Sequence, residues 1–481
     1  MRVSTHPDEL LSALSIRFPW LSVRIATRSA DAEVRLTFAT HDSRSVEPGA
    51  LFCCIRGGAF DGHRFAAEAI GRGAKALLVD HVIPGVDVVQ FVVENTRDAM
   101  GPVSAALFGF PSDHLLMIGV TGTNGKTTTS HILGEILSKQ GLNCRVIGTL
   151  TQKRTTPEAT ELQEQLADFV ADGVTHVVME VTSHALDLHR VDGIVYDTAI
   201  FTNLSQDHLD YHETMESYFR AKAKLFETGV ARRAVVNTDD PHGRLLLTAH
   251  LIPTVTYSLI DAEDLDMRAD GTSFRWRGAQ FQLPMAGSFN VMNALGAATA
   301  AAGLGIDPDE IAVAARGVSV PGRYEPITLG QPFAVVVDFA HTPDGLERVL
   351  KAARSTLSKG CRLLVVFGCG GDRDRTKRPL MGEIASSLAD EVYVTSDNPR
   401  TEDSGSIIRD ILGGIVEGPD VHVEPDRRRA IGLALAAARP GDVVMIAGKG
   451  HESGQTVGSV TLPFDDRVVA SELILDLELR G

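Results

Sequence analysis

Leu115-Leu116-Met117-Ile118-Gly119-Val120-Thr121-Gly122-Thr123-Asn124-Gly125-Lys126-Thr127-Thr128-Thr129 is the stretch that decides the fold. An apolar run of strand length meets a Gly/Thr/Asn turn, and Gly-Lys-Thr then opens a segment with Ile132, Leu133, Ile136 and Leu137 at helical spacing. The order reads as strand, phosphate loop, helix. Glycines let backbone N–H groups converge on phosphate oxygens, and the helix N-terminus adds partial positive charge. Lys126 supplies a full charge, and the Thr127 hydroxyl can ligate Mg²⁺. The strict pattern has a glycine five residues before Gly125, where this chain has Val120, with Gly119 and Gly122 on either side. A ligand-free glycine turn would explain the bend but not a Lys and a Thr directly after Gly.

The 481 residues are too many for one core and suggest about three domains at ~150 residues each. Lys+Arg of 46 against Asp+Glu of 62 gives a net charge of -16, which argues against nucleic acid or an anionic membrane as a partner. An anionic ligand must therefore be held by local devices. The five cysteines lack metal-type C-x-x-C spacing and read as reduced, mostly buried small apolar residues. The start, Met1-Arg2-Val3-Ser4-Thr5-His6-Pro7, has no apolar leader behind its basic residue. No stretch approaches the ~18 apolar residues of a membrane span, so a cytoplasmic protein is expected.

Around this loop the chain reads as α/β throughout: a central parallel sheet of the P-loop ATPase kind, flanked by a small N-terminal α/β domain and a C-terminal Rossmann-like domain. The expected boundaries are 1–112, 113–325 and 326–481, with Pro111-Ser112-Asp113 and Pro321-Gly322-Arg323-Tyr324-Glu325-Pro326 as linkers. In the first domain, Asp42-Ser43-Arg44, Gly57-Gly58 and Asp61-Gly62-His63 place hydroxyl, guanidinium and open backbone near strand ends, which suits a polar, phosphorylated ligand. In the second, Thr155-Thr156-Pro157-Glu158 reads as a helix start with Thr156 as N-cap and Pro157 at the first helical position. The strand His176-Val177-Val178-Met179 ends at Glu180, which would face the phosphate-loop crevice as a candidate Mg²⁺ ligand. Polar groups crowd again at Asp207-His208-Leu209-Asp210-Tyr211-His212. Lys222 and Lys224, on a helix over residues 215–226, would by default face solvent. Asn290 and Asn293 sit one turn apart at the start of an alanine-rich, buried helix, where they can cap it or reach a ligand.

Beyond residue 330, strands alternate with helices and end in polar clusters: Asp338-Phe339-Ala340-His341, Gly370-Gly371-Asp372-Arg373, Asp397-Asn398-Pro399-Arg400 and Gly448-Lys449-Gly450-His451-Glu452. Clusters at one rim of one sheet suit a zwitterionic ligand. Arg373 and Arg400 can each clamp a carboxylate, and Glu452 or Asp397 can receive an ammonium. Two classes compete at this point: an enzyme that spends ATP to join two bound molecules, and a regulatory P-loop NTPase switch. The charged rim of a separate C-terminal domain favours the enzyme.

Gly122-Thr-Asn-Gly-Lys-Thr-Thr128, Met179-Glu-Val-Thr-Ser-His184, Thr202-Asn-Leu-Ser-Gln-Asp-His-Leu-Asp210, Phe289-Asn-Val-Met-Asn293, Pro321-Gly-Arg323, Asp338-Phe-Ala-His-Thr-Pro343 and Asp397-Asn-Pro-Arg400 occur in an order and spacing that resembles the Mur ligases, most nearly the MurE type. The resemblance covers essentially the whole chain. It implies ATP- and Mg²⁺-dependent amide formation in peptidoglycan synthesis, in which the D-glutamate carboxylate of UDP-N-acetylmuramoyl-L-alanyl-D-glutamate becomes an acyl phosphate. The amine of meso-diaminopimelate then displaces phosphate. L-lysine as the added residue, or a ligase like folylpolyglutamate synthase, is the alternative within this class.

By resemblance, Lys126, Lys222 and His208 are catalytic, and Thr127, Glu180, His208 and a carbamylated Lys222 serve the metal. Gly122, Thr123, Asn124, Gly125, Lys126, Thr127, Thr128, Asn290, Asn293, Arg323, Asp338 and His341 would bind ATP. Ser43, Arg44, Thr155, Thr156, Thr182 and Arg190 would bind the UDP-sugar. Arg373, Asp397, Asn398, Arg400, Gly448 and Glu452 would hold the amino acid, with Arg400 selecting the second carboxylate of diaminopimelate, where lysine has only hydrogen. Leu188 and Glu213 depart from common members, and the segment between Thr149 and Thr155 is short. No nucleic-acid or membrane partner is implied, and the chain is expected to act as a monomer.

Overall fold

The computed structural model describes residues 4–27, 33–57, 60–249, 252–268 and 271–478. Gly58 and Met1–Val3, singled out in the sequence, lie outside them. The chain divides into two compact units, Met1–Lys126 with Leu137–Thr256, and Thr127–Ile136 with Tyr257–Gly481. Three large α/β sheets carry the three-domain architecture expected from the alternating pattern.

In the first unit, the strands Phe38–Thr40, Ala50–Cys53, Ala76–Val79 and Val89–Val92 pair in parallel, and Arg24–Thr27 closes the edge antiparallel. The second sheet of this unit runs, in spatial order, Thr254–Tyr257, Ala234–Asn237, Thr198–Phe201, Leu116–Thr121, His176–Glu180, Cys144–Ile147. The strand that feeds the phosphate loop lies between those ending at Phe201 and Glu180, parallel to both, so all three deliver their next residues to one rim. Near-continuous apolar runs in these strands are what a parallel sheet buried on both faces requires.

The second unit holds an antiparallel sheet, Glu263–Arg268, Gly271–Trp276 and Ala279–Leu283, and a six-stranded one. The latter runs Glu325–Pro326, Ala334–Asp338, Val443–Ala447, Leu363–Phe367, Glu391–Val394, Asp420–Val423, parallel except at its first pair. The alanine-rich helix Ser288–Gly303 is buried as its composition requires.

Three local expectations fail for tertiary reasons. Thr156 is not an N-cap: its hydroxyl donates to the Glu180 carbonyl at 2.9 Å, so the chain stays extended and the helix Ala159–Ala171 is capped at Glu158. The expected linkers are not loose. Pro111 and Ser112 are buried in a short 3₁₀ turn, and Tyr324 is buried beside a strand that pairs with Ala334–Asp338. The helix read over residues 215–226 is α only over Met215–Ala223, then tightens to 3₁₀ over Lys224–Phe226.

Candidate active site

Gly122 and its neighbours form a loop braced from the strand beside it. A Cβ on Gly122 would lie 1.9 Å from the Thr202 hydroxyl oxygen, so only glycine allows this approach. The Asn124 carbonyl accepts from the Thr202 hydroxyl at 2.7 Å and from the Asn203 amide at 3.0 Å. The Asn124 N–H donates back to Asn203 Oδ1 at 3.0 Å, and the Thr123 hydroxyl bonds the Ser205 carbonyl at 3.1 Å. The Lys126 ammonium folds over the loop to the carbonyls of Gly122 and Thr123, each at 2.8 Å.

Lys222 converges on the same point. Its side chain is buried, and Nζ donates to the Gly122 carbonyl at 2.8 Å while resting 4.6 Å from the Tyr218 ring centre. Among the described residues no carboxylate forms an ion pair with it. Burial, with the nearby Lys126 charge adding to it, pushes Lys222 well below the usual lysine range. The expectation that Lys222 faces solvent is therefore overturned. Lys224 instead keeps a half-exposed ion pair to Asp187 at 3.2 Å. Two lysines sharing one carbonyl, one of them buried and, among the described residues, without an ion pair, describe a place built for anions.

Glu180, at the end of its strand, is fully buried and accepts from the Thr149 N–H at 2.8 Å and the Thr149 hydroxyl at 3.3 Å. His208 takes a left-handed backbone, φ +53°, at the head of the short helix Leu209–His212 and packs edge-on to His184, ring centres 4.9 Å apart. Burial lowers the pKa values of His184, His208 and His212, so they stay neutral near pH 7, the form that ligates metal. Mg²⁺ prefers oxygen donors. Glu180 offers them directly, whereas Lys222 fits only as a carbamate, whose formation is eased because burial favours loss of the lysine proton.

Ser43 and Arg44 line a cavity of about 910 Å³ together with Thr40, His41, Arg154 and Thr160. Arg44 is engaged with Asp42 at 2.7 Å, and its bond holds the Asp42 carboxyl down to about 2. Thr155 bonds the Thr149 hydroxyl at 3.0 Å, and Thr182 caps the short helix Ser183–Asp187. Arg190 bonds Glu158 at 2.9 Å, and Glu158 is gripped from its other side by Arg97 at 3.0 Å. Arg190 Nε is buried with no partner among the described residues, a donor left for a ligand. Sequence reasoning missed His41, Arg97 and Glu158; Glu158 was hidden by the helix start assigned two residues early.

In the second unit, Asn290 and Asn293 are buried. Asn290 donates to the Ala286 carbonyl at 2.8 Å, and Asn293 accepts from the Thr129 hydroxyl at 3.4 Å. Arg323 lies over the Phe339 ring at 4.5 Å and reaches the Thr127 hydroxyl at 3.5 Å. Asp338 accepts the N–H groups of Tyr324 at 2.6 Å and Ala340 at 2.7 Å, while burial raises its pKa despite Arg323. His341 is exposed, with Nδ1 2.9 Å from the Phe339 carbonyl.

The C-terminal rim brings its polar clusters together. Asn398 donates to Glu452 at 2.7 Å and accepts from the Thr456 N–H at 2.9 Å. The fully buried Lys449 bonds the Gly454 carbonyl at 2.6 Å and reaches Asn398 and Glu452, each at 3.3 Å. Arg400, at φ +52°, donates to the Gly371 carbonyl at 2.6 Å, and its own backbone is clamped by the hairpin Gly454–Val457/Val460–Pro463 through Thr456 and Gly458. Asp397 lies against Gly448, where a Cβ would come 2.8 Å from Oδ2, and Arg373 points outward, exposed. Behind the rim, Arg378 is wholly buried on Glu402 at 2.9 Å and Asp410 at 2.9 Å. Arg427 is equally buried on Asp466 at 2.7 Å. Neither arginine stood out in the sequence.

Three Mur ligase patterns match the chain: the Mur ligase family catalytic domain over residues 35–106, the Mur ligase middle domain over 120–301 and the Mur ligase glutamate ligase domain over 322–450. A UDP-N-acetylmuramoyl-L-alanyl-D-glutamate--2,6-diaminopimelate ligase of Syntrophomonas wolfei is 43% identical over 94% of this chain and 97% of its own length. The protein of the same description from Streptomyces avermitilis is 44% identical over 93% and 94%. A solved structure of a ligase of that description is 35% identical and superposes with a TM-score of 0.69 over 99% of this chain and 100% of the other.

Proposed function

The chain belongs to the Mur ligase family, and from that premise we propose that it joins meso-diaminopimelate to UDP-N-acetylmuramoyl-L-alanyl-D-glutamate at the expense of ATP. The observation that carries this reading is the meeting of Lys126 and Lys222 on the Gly122 carbonyl. Lys126 leaves that carbonyl to hold the β- and γ-phosphates when ATP binds, and the braced loop supplies its N–H groups to the same oxygens. Mg²⁺, when bound, neutralises charge on the transferring phosphoryl group. Glu180, Thr127, His208 and Lys222 as its carbamate are the residues that would hold it. Lys222 becomes a carbamate when its unprotonated amine adds CO₂ with loss of one proton, which puts an anionic oxygen donor where a protonated lysine would be a buried cation.

The acceptor carboxylate attacks the γ-phosphorus and ADP leaves. The diamino acid's amine then attacks the acyl phosphate, and inorganic phosphate leaves. Ser43, Arg44, Thr155, Thr156, Thr182 and Arg190 serve the UDP-sugar. The clamped Arg400, with Arg373, Asp397, Asn398, Gly448 and Glu452, serves the amino acid. Arg400 selects diaminopimelate because lysine would leave its guanidinium without a carboxylate partner, at a cost of ~1–3 kcal/mol. We place the domain boundaries at 1–112, 113–325 and 326–481; the first two family matches fall inside the first two of these ranges, and the third begins at residue 322, four residues before the last. A nucleotide-sugar acceptor and ATP place the work in the cytoplasm, and the chain acts as a monomer without a nucleic-acid or membrane partner. Among the described residues no helix is long and apolar enough to cross a membrane.

Purified protein should release ADP only when the UDP-dipeptide and diaminopimelate are both present. ADP release from the UDP-dipeptide and L-lysine at an equal rate would remove the Arg400 argument. Nucleotide hydrolysis without any acceptor would instead indicate the switch.

A further inference from the structure

Parallel neighbours Ala50–Cys53 and Ala76–Val79 in the N-terminal sheet end at one rim, and each delivers an imidazole there. After the first strand, the 3₁₀ turn Gly62–Phe65 carries His63; directly after the second come Asp80 and His81. One donor atom from each of these three side chains lies within 4.8 Å of the other two. His63 Nε2 is 3.3 Å from Asp80 Oδ1, His81 Nδ1 bonds the same oxygen, and the rings stack with centres 4.6 Å apart. None of the three lines the cavity assigned to the nucleotide sugar.

Surrounding groups orient the donors. Asp61 Oδ1 meets His63 Nδ1 at 2.6 Å and also accepts the His63 N–H at 3.0 Å. A carboxylate on Nδ1 keeps the proton there and leaves the Nε2 lone pair directed at Asp80, the arrangement found behind metal-bound histidines. Among the described residues, the hydrogen bond that lone pair receives is a long one, 3.3 Å, from the Asp80 N–H. Arg56 Nε holds Asp80 Oδ2 at 2.7 Å and its Nη2 makes a longer contact, 3.3 Å, to Oδ1, the oxygen that faces the imidazoles. Beside the two imidazoles, the ionised side chains of Asp61, Asp80 and Arg56 sum to one negative charge. His63 is nearly buried, whereas the His81 side chain is 56% exposed, which leaves an entry path and room for water.

We propose that His63, Asp80 and His81 form a site for one divalent transition-metal ion, Zn²⁺ or its Co²⁺ substitute, with water completing a tetrahedron. Two imidazole nitrogens and one carboxylate oxygen favour such an ion over Mg²⁺, which takes oxygen donors. Phe60 and Phe65, on either side of the Asp61–His63 turn, both line the nucleotide-sugar cavity. An ion that ties this turn to the next strand end therefore braces one wall of that cavity.

The test uses the full chain with Mg²⁺ in large excess, so that the phosphate-loop metal site is saturated. Zn²⁺ is titrated by competition with a chromophoric chelator, and Co²⁺ by its visible absorption. The parent should take up one equivalent, with the band intensity of tetrahedral Co²⁺ and a rise in melting temperature on Zn²⁺ addition. His81→Ala, at an exposed position that leaves the fold intact, should bind Zn²⁺ at least tenfold more weakly and lose the temperature rise; Asp80→Asn should do the same. Equal binding by parent and His81→Ala, or no Zn²⁺ uptake by the parent under excess Mg²⁺, would overturn the assignment and leave a hydrogen-bonded cluster only.

Discussion

Gly122→Ala tests the phosphate-loop geometry at its tightest point. The new Cβ would sit 1.9 Å from the Thr202 hydroxyl oxygen and 3.0 Å from the Asn203 N–H, where ordinary contact begins near 3.4 Å. Relief needs a displacement of about 1.5 Å, and Thr202 cannot yield freely because its hydroxyl is committed to the Asn124 carbonyl at 2.7 Å. A shift of ~1 Å in a positioned phosphate costs ~10²-fold in turnover, equivalent to about 2.7 kcal/mol. Thr202→Ala removes the clashing oxygen together with its short bond to the Asn124 carbonyl and its longer contact to the Thr121 carbonyl, worth ~1 kcal/mol or about fivefold. The two substitutions act on one contact and should not be additive. The double variant should exceed, by at least tenfold, the activity expected from multiplying the single losses. The assay is ADP release with saturating UDP-dipeptide and diaminopimelate, alongside thermal denaturation to verify folding. Gly122→Ala within threefold of the parent, or strict additivity in the double variant, would refute the reasoning.

Lys222→Ala should be inactive and regain part of its turnover with a small carboxylic acid that supplies the missing oxygens; full activity without rescue would remove Lys222 from the site. Asp466→Asn leaves Arg427 charged and wholly buried without its partner, so urea denaturation should report a loss of ~3–5 kcal/mol, and a loss under ~1 kcal/mol would contradict the pairing. His131 is held neutral down to about 4, chiefly by burial with Arg323 adding to it, against 6.5 in the unfolded chain. Between those values the unfolded state binds the extra proton, so stability falls as pH falls through the window, by at most ~3 kcal/mol. His131→Gln should flatten the acid limb of a stability-versus-pH curve; an unchanged limb would show that His131 takes up its proton normally.

Much of this site was readable in the chain because the determinants are local. The phosphate loop and Glu180 follow from a strand ending in a polar turn, and the C-terminal strand ends follow from apolar runs of fixed length. What escaped depends on distant partners. Lys222 and Lys224 are equivalent by pattern, and only the approach of Gly122, one hundred positions earlier, buries the first. Thr156 has the residue type of a cap but spends its hydroxyl on the Glu180 carbonyl, which moves the helix start to Glu158. Arg378 and Arg427 carry no mark in the local pattern, and their burial follows from carboxylates 24 and 39 residues away. The hairpin that clamps Arg400 lies in a short Gly-bounded segment with no apolar alternation long enough to mark it as paired strands.

The central claim is that ATP cleavage drives the addition of a diamino acid with two carboxylates. Mass analysis of the product from equimolar meso-diaminopimelate and L-lysine, with the UDP-dipeptide limiting, tests it most directly. The account predicts the diaminopimelate tripeptide in at least hundredfold excess, with Arg400→Met collapsing that ratio. Comparable amounts of both products from the parent protein, or an unchanged ratio in Arg400→Met, would contradict it.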